Sequence, residues 1–396
     1  VGVLVFAKHP ALYTISVVSI IGILSALIIA FSIQPLLFKL FIGSNTKRPI
    51  TIRLLLHSLL SFGYYGIGGF LLSILSIILI PIIPVSKRIK MGWFHKILSK
   101  FMKSVLYTNP FVSKRVINPH GETFDKQGVI ISNHTSFLDI LAVGMLHPKI
   151  IFLVNDWVYN SPVFGRAVQL AGFYPVTSGI ENGLTHLRKK VDQGYSLMAF
   201  PEGTRSTTNK IRRFHKGAFF LAEELGLDII PVLIHGNSEV LPKGSFVIRN
   251  GSITLKILKR ITSSDPRFGS NSRERTKTIS QMFRQEFDAL RQDIEHDSYF
   301  HDILLEEYRY KGEYLLNDVK DDLRSQSGNY KTIIDRIPKD NRIIHFSEDC
   351  GQLDFLLALD GPKRRIRSYV NHQNTVKILN NSYLSNTHYR IQFFNF

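Results

Sequence analysis

Two long uncharged apolar runs dominate the first quarter of the chain and decide what kind of fold it can adopt. Residues Leu12 to Ser32 carry no charge and are almost wholly apolar. About 20 such residues cross a bilayer as a helix. A cleaved signal peptide would have a shorter apolar stretch, and Gln34-Pro35 is a poor cleavage context. A short interfacial stretch, Leu36–Phe41, follows, then a basic loop with Lys47, Arg48 and Arg53. The second run, Leu54 to Val85, is broken by Gly63, Gly66, Gly68 and Gly69. It is long for one span. The pattern therefore predicts a hairpin that enters and returns near Gly66–Gly69, with a single tilted span as the alternative.

Basic residues flank this run on both sides, and no acidic residue occurs from Ser86 to Gly121. The positive-inside rule puts both flanks on the cytoplasmic face. Residues 86–105 set Met91, Trp93, Phe94, Ile97, Leu98, Phe101 and Met102 among lysines. Such a basic amphipathic stretch suits an anionic leaflet, or else a surface helix packed on its own domain. The net charge of +18 fits an anionic partner. Zinc-finger, helix-turn-helix and aromatic RNA-binding signatures are missing, so anionic membrane lipids rather than nucleic acid are the expected partners. The single cysteine, Cys350, excludes an intramolecular disulfide framework and a multi-cysteine zinc site. A length of 396 residues suggests two or three domains. The chain begins at Val1, and we expect it to be the C-terminal part of a longer one.

From residue 129 the pattern becomes α/β. Val129-Ile130-Ile131-Ser132 reads as a buried strand running into Asn133-His134-Thr135-Ser136-Phe137-Leu138-Asp139, with a helix candidate over residues 140–146. A histidine at a strand-to-helix corner, with a carboxylate five residues on, can form a relay. The carboxylate fixes the imidazole tautomer, and the other ring nitrogen removes a proton from a substrate hydroxyl. About sixty residues later the strand Leu197–Phe200 leads into Pro201-Glu202-Gly203-Thr204-Arg205-Ser206. A glycine turn followed by an arginine with hydroxyl neighbours suits a phosphate group. His215 and Lys216 read as solvated charge rather than catalytic parts. Asp228 to Ile234 is another buried strand.

The three blocks at 133–139, 200–206 and 230–234 together resemble the glycerolipid and lysophospholipid acyltransferase family, over roughly residues 100–260. The resemblance implies transfer of a fatty acyl group from acyl-CoA or acyl-carrier protein to a lysolipid hydroxyl, with no other cofactor and no metal. It implies His134 as general base, oriented by Asp139. It assigns acceptor binding to Glu202, Gly203 and Arg205, and Asn133, Ser136, Gly172, Thr204 and Ser206 complete the expected substrate-binding set. One departure matters. The family's second block usually contains an arginine for the acceptor phosphate, whereas Ala171-Gly172-Phe173-Tyr174-Pro175-Val176-Thr177-Ser178 has none. Arg166 and Arg188 are the nearest substitutes. The competing reading is a non-catalytic lipid-binding or scaffolding module of a lipid export complex.

Residues 20–35 resemble the last membrane helix of an RND-superfamily (MMPL-type) lipid exporter. Residues 262–330 read as charged helices, with Met282, Phe283, Phe287, Leu290 and Ile294 at helical spacing. The strand–helix–strand pattern over 342–370 resembles the opening of a class I methyltransferase. Only Gly351 remains of its glycines, His345 replaces the first strand's acid, and Asn371 or His372 stands where the ribose-binding acid belongs. S-adenosylmethionine is therefore not expected to bind well, and Cys350 is expected to be a buried or loop thiol. The expected fold class is α/β: a mostly parallel sheet flanked by helices, preceded by membrane helices and followed by a partial Rossmann-like segment. The expected domains are an exporter-like terminal helix (1–45), a membrane hairpin with a basic amphipathic segment (46–105), an acyltransferase domain (106–262), a helical connector (263–335) and a degenerate methyltransferase-like segment (336–396). The expected location is the inner membrane, multi-pass or monotopic, with the catalytic domain facing the cytoplasm.

Overall fold

A computed structural model describes the chain except residues 1, 7, 42–47, 207–209, 297 and 387–388. Lys47 lies outside the described residues. Two compact units are present, one formed by Arg53–Asp293 and the other by Val1–Ile52 with Ile294–Phe396.

In the unit Arg53–Asp293, seven strands form one sheet. They are β1 (Val112–Ile117), β2 (Gly128–Ser132), β3 (Ile150–Val154), β4 (Tyr174–Pro175), β5 (Ser196–Ala199), β6 (Asp228–His235) and β7 (Gly251–Ile257). Their order is β1-β7-β6-β2-β5-β3-β4. Every pairing is parallel except β6 with β7. Each residue of β2, β3, β5 and β6 is buried. Such continuous apolar runs are what a parallel sheet covered on both faces requires. The central strands β2 and β5 lie side by side, Ile131 opposite Ala199. Both candidate motifs therefore leave the sheet at neighbouring C-terminal strand ends, where open α/β sheets place their ligands.

The expected hairpin near Gly66–Gly69 is replaced by one continuous helix, Ile52–Ile82. Two of its glycines, Gly68 and Gly69, serve close packing rather than a reversal, while Gly63 and Gly66 have open space where a Cβ would stand. A Cβ on Gly68 would meet the Phe101 ring at 2.5 Å, and one on Gly69 the Phe164 ring at 2.0 Å. The helix Lys87–Tyr107 turns Phe94, Met102, Val105 and Leu106 inward. Met102 lies over Gly144, where a Cβ would meet its sulfur at 2.1 Å. His95 on the same helix is also buried, which lowers its pKa to about 4, with Lys190 acting in the same direction. Trp93 and Ile97 stay about half exposed, so this basic helix packs on its domain with part of its apolar face. The helix Ser272–Ile294 buries Phe283, Phe287 and Leu290 at the expected helical spacing.

In the second unit, the apolar helix Pro10–Ile28 continues through a π turn, Ile29–Ile33, into Gln34–Phe41. This helix and Ile52–Ile82 are long and apolar enough to cross a membrane. The C-terminal part holds a parallel three-stranded sheet, order β10-β9-β8, from β8 (Arg342–Ser347), β9 (Arg365–Val370) and β10 (Arg390–Asn395). Helices Gln352–Asp360 and Gln373–Asn380 form the crossovers. Leu304, Tyr308, Val319, Leu323, Phe355 and Phe393 share its core. The strand–helix–strand pattern expected over 342–370 is thus present. His345 on β8 bonds Asp354 Oδ1 through Nδ1 at 3.0 Å.

Candidate active site

The site starts from the end of β2. The Asn133 amide donates to the Ile234 carbonyl at 2.8 Å and accepts the Ile234 N–H at 2.8 Å, clamping the exit of β2 to β6. The next residue, His134, is held at its backbone by the 200–206 block. Its N–H donates to Glu202 Oε1 at 2.8 Å, and its carbonyl accepts the Ser206 N–H at 2.7 Å. The imidazole stacks on Phe200 with centroids 3.9 Å apart and planes at 11°. Its Nδ1 lies 2.9 Å from Asp139 Oδ2.

Asp139, in the first turn of the helix Leu138–Gly144, is fully buried. A buried carboxylate needs donors, and here four converge on it. Oδ2 accepts the Thr135 and Ser136 N–H groups at 2.6 and 2.8 Å in addition to His134. Oδ1 accepts the Asn237 amide at 2.6 Å. With Nδ1 engaged by Asp139, Nε2 is the ring nitrogen left for a substrate. His134 lines a cavity of about 230 Å³ whose other walls include Ile140, Phe152, Val154, Phe200 and Ala218. This arrangement pairs an oriented imidazole with a mostly apolar cavity at the C-terminal edge of the sheet.

The expected substrate-binding residues divide. Gly203 lines the cavity; its φ of +71° is one that L side chains rarely adopt, and a Cβ there would approach His215 at 3.4 Å. Thr204 is exposed and Arg205 half-buried, and neither is among the cavity-lining residues. The others face away from the cavity. Asn133 and Ser136 are buried and bond backbone, the Ser136 hydroxyl donating to Leu241 O at 2.7 Å. Glu202 is 2% exposed and spends both oxygens on the N–H groups of His134 and Arg212. Burial raises its pKa, opposed by those two donors. Ser206 is buried and donates to Lys210 O at 3.2 Å. These four shape loops because their polar atoms face the protein. Gly172 is buried against Lys190, whose Nζ lies 2.4 Å from where a Cβ would stand, and is not among the cavity-lining residues. Arg188 donates to Glu224 O at 2.7 Å, and Arg166 is exposed and away from the cavity walls.

Three further residues belong to the site. Asn237 completes the carboxylate's hydrogen bonds. Lys243 donates to the Arg205 carbonyl at 3.1 Å and adds a second cation beside that arginine. His215, set aside in the sequence as solvated charge, lines the cavity. The signal for Asn237 is its place just past buried β6. Gly236 before it has φ +87°, and a Cβ there would lie 1.8 Å from the Ser252 carbonyl oxygen.

Residues 113–235 match the acyltransferase family model. The match runs from β1 to the end of β6 and so contains His134, Asp139 and the Glu202–Ser206 loop. This acyltransferase-like segment is similar to the chloroplastic 1-acyl-sn-glycerol-3-phosphate acyltransferase BAT2 of Brassica napus. The two are 29% identical over 206 residues, 50% of this chain and 59% of that protein. The chloroplastic LPAT1 of Arabidopsis thaliana is 30% identical over 43% of this chain and 49% of its own length. The human 1-acyl-sn-glycerol-3-phosphate acyltransferase beta is 27% identical over 34% of this chain and 51% of its own length. The chain thus spans about half the length of the curated relatives it matches. Among solved structures, the PlsC acyltransferase of Thermotoga maritima aligns with a TM-score of 0.52 and 21% identity, covering 60% of this chain and 97% of PlsC. That likeness shows the fold: a mostly parallel sheet flanked by helices.

Proposed function

We propose that residues 106–262 transfer a fatty acyl group from an acyl thioester, acyl-CoA or acyl-carrier protein, to the hydroxyl of a lysophospholipid-like acceptor at the cytoplasmic membrane face. The observation that carries this reading is the His134–Asp139 pair, with Nδ1 engaged and the ring facing an apolar cavity. His134 Nε2 takes the proton of the acceptor hydroxyl as its oxygen attacks the thioester carbonyl. Asp139 stabilises the resulting imidazolium. When the tetrahedral intermediate collapses, the C–S bond breaks, the new ester forms, and the imidazolium returns the proton to the leaving thiolate. No covalent acyl-enzyme is needed, because the nucleophile belongs to the acceptor. A positioned general base contributes about 10²–10⁴-fold. Arg205 and Lys243 supply the positive charge for the acceptor's phosphate, in place of the arginine missing from the 171–178 block.

Names of the relatives support a 1-acylglycerol-3-phosphate-like acceptor, and the two apolar helices support membrane association. Within the same reading, residues 1–45 are the end of an exporter-like region and 336–396 a methyltransferase-like segment that does not use S-adenosylmethionine. The test is acyl transfer by purified protein in nanodiscs, with a panel of acyl thioesters and lysophosphatidate. His134→Ala should cost at least about a hundredfold in kcat, on the order of the base's own contribution, without lowering the melting temperature. Retained turnover in that variant refutes the mechanism. Binding of lysolipid without transfer from any thioester supports the scaffolding reading instead.

A further inference from the structure

The second unit carries a feature that acyl transfer does not use. In the β10-β9-β8 sheet, Arg390, Arg365 and Arg342 stand directly opposite one another across the three strands. The next outward positions, two residues on along each strand, are Gln392, Arg367 and Ile344, and then Phe394, Tyr369 and Phe346. All four arginines are exposed. The opposite face points Ile366, Ile391 and Phe393 into the core. Like charges side by side on neighbouring strands destabilise a sheet, so folding gives no reason for a rung of three arginines. Among the described residues no carboxylate pairs with Arg365, Arg367 or Arg390. They line a cavity of about 470 Å³ together with Ser385, Tyr389 and Gln392. Planar guanidinium groups with hydroxyl and amide donors around one hollow are the chemistry of a phosphate site.

Contacts within the same unit bear on the source of such a phosphate. The Ile50 N–H donates to the carbonyl of Phe41, the last residue of the apolar helix, at 2.8 Å. The Tyr310 hydroxyl donates to Ile50 O at 3.0 Å. Arg48 lies 4.0 Å from Glu306, and its guanidinium sits 5.6 Å from the centre of the Tyr383 ring. Tyr383 is two residues from Ser385, which lines the cavity. A short chain of contacts thus links the segment beside the arginine hollow to the end of a helix long and apolar enough to cross a bilayer. We propose that the cavity lined by Arg365, Arg367 and Arg390 binds the phosphate of an anionic phospholipid headgroup and holds the C-terminal sheet at the membrane surface.

The test uses the full chain in nanodiscs of phosphatidylcholine with increasing phosphatidylglycerol. Hydrogen exchange is read in peptides covering 363–370 and 389–395. Protection that rises with phosphatidylglycerol is the expected result. The triple variant R365Q/R367Q/R390Q should lose it, since each basic residue near a charged surface contributes roughly fivefold in binding and three together give about a hundredfold. The triple lysine variant should keep most of it. Exchange in the helix Gln352–Asp360 should be the same in all three proteins, which separates lost binding from lost folding. Equal protection in pure phosphatidylcholine, or protection that survives the glutamine substitutions, overturns the proposal. Protection by pyrophosphate or a single-stranded oligonucleotide in phosphatidylcholine, without any by phosphatidylglycerol, overturns it in favour of a soluble phosphate ligand. Acyl transfer is not the readout, so this result is independent of the reaction proposed for His134.

Discussion

Replacing the Asp139 carboxylate with the amide of asparagine isolates the charge from the geometry. In the native site Oδ2 accepts from His134, Thr135 and Ser136, and Oδ1 accepts from the Asn237 amide. In Asp139→Asn, an amide oxygen placed where Oδ2 was keeps the first three bonds and the imidazole tautomer. The new amide nitrogen then faces the Asn237 amide, donor against donor. Asn237 resolves this by flipping, because its Oδ1 is buried with no partner among the described residues and then becomes the acceptor. The variant should therefore fold, with a melting temperature within a few degrees of the parent. What it loses is the attraction between carboxylate and imidazolium, which exists only while His134 carries the proton. At 2.9 Å, and with an effective dielectric constant of about 20, that attraction is about 6 kcal/mol. The His134 side chain is 15% exposed and Asp139 fully buried, so solvent screening removes only part of it. Each 1.36 kcal/mol is tenfold in rate, so kcat should fall by about 10³–10⁴ with little change in KM. Single-turnover acyl transfer with a radiolabelled thioester measures this directly. A kcat within about tenfold of the parent, a loss of only about 1.4 kcal/mol, refutes the idea that Asp139 stabilises a protonated His134. Asn237→Ala provides the scale for one lost hydrogen bond to a charge, about 1.5–3 kcal/mol.

His345 has its pKa raised first by its hydrogen bond to Asp354, opposed by burial. Because the folded value lies above the unfolded one, this contribution to stability is full below the unfolded pKa and is lost as pH rises through the folded value. Thermal melts across pH 5–9 should show the C-terminal unit weakening upward through that window, and His345→Gln should remove the slope. Burial pushes the Cys350 thiol up to about 11 from 9.0, so its alkylation by iodoacetamide at neutral pH should be roughly 100-fold slower than that of an ordinary exposed cysteine, followed by intact-mass spectrometry. Gly236→Ala places a Cβ 1.8 Å from the Ser252 carbonyl oxygen at φ +87°. It should destabilise the Arg53–Asp293 unit by about 3 kcal/mol or more in urea melts, since strained backbone alone costs about 1–3.

The central strands were legible because burial on both faces leaves a contiguous apolar run, as in Val129–Ile131 and Ile229–Ile234. The His134–Asp139 pair was legible because both partners sit within one strand-to-helix corner. Neighbours brought by the sheet were not. Asn237 reaches Asp139 across 98 positions because β6 happens to lie beside β2. The edge strand Val112–Ile117 passes for part of a basic segment until Gly251–Ile257 pairs with it. Polarity alone left the partners of Asn133, Ser136, Glu202 and Ser206 open, and in the structure their side chains bond backbone groups. A motif shows that a polar atom is required, but not whether it faces a ligand or its own backbone. Gly68 and Gly69 misled in a similar way, because a glycine that admits an aromatic ring looks in sequence like one that breaks a helix.

Glu202 grips the peptide of His134 on one side while Ser206 grips it on the other. The posture of this imidazole is thus an assembly product of segments made far apart in time. In a chain leaving the ribosome Asp139 follows the histidine by only five positions, but Glu202 follows it by 68, and Asn237 comes 98 positions behind the carboxylate it completes. Throughout that interval the growing polypeptide carries an imidazole whose backbone clamp is incomplete, and the corner takes its final form only when the sheet has closed around it.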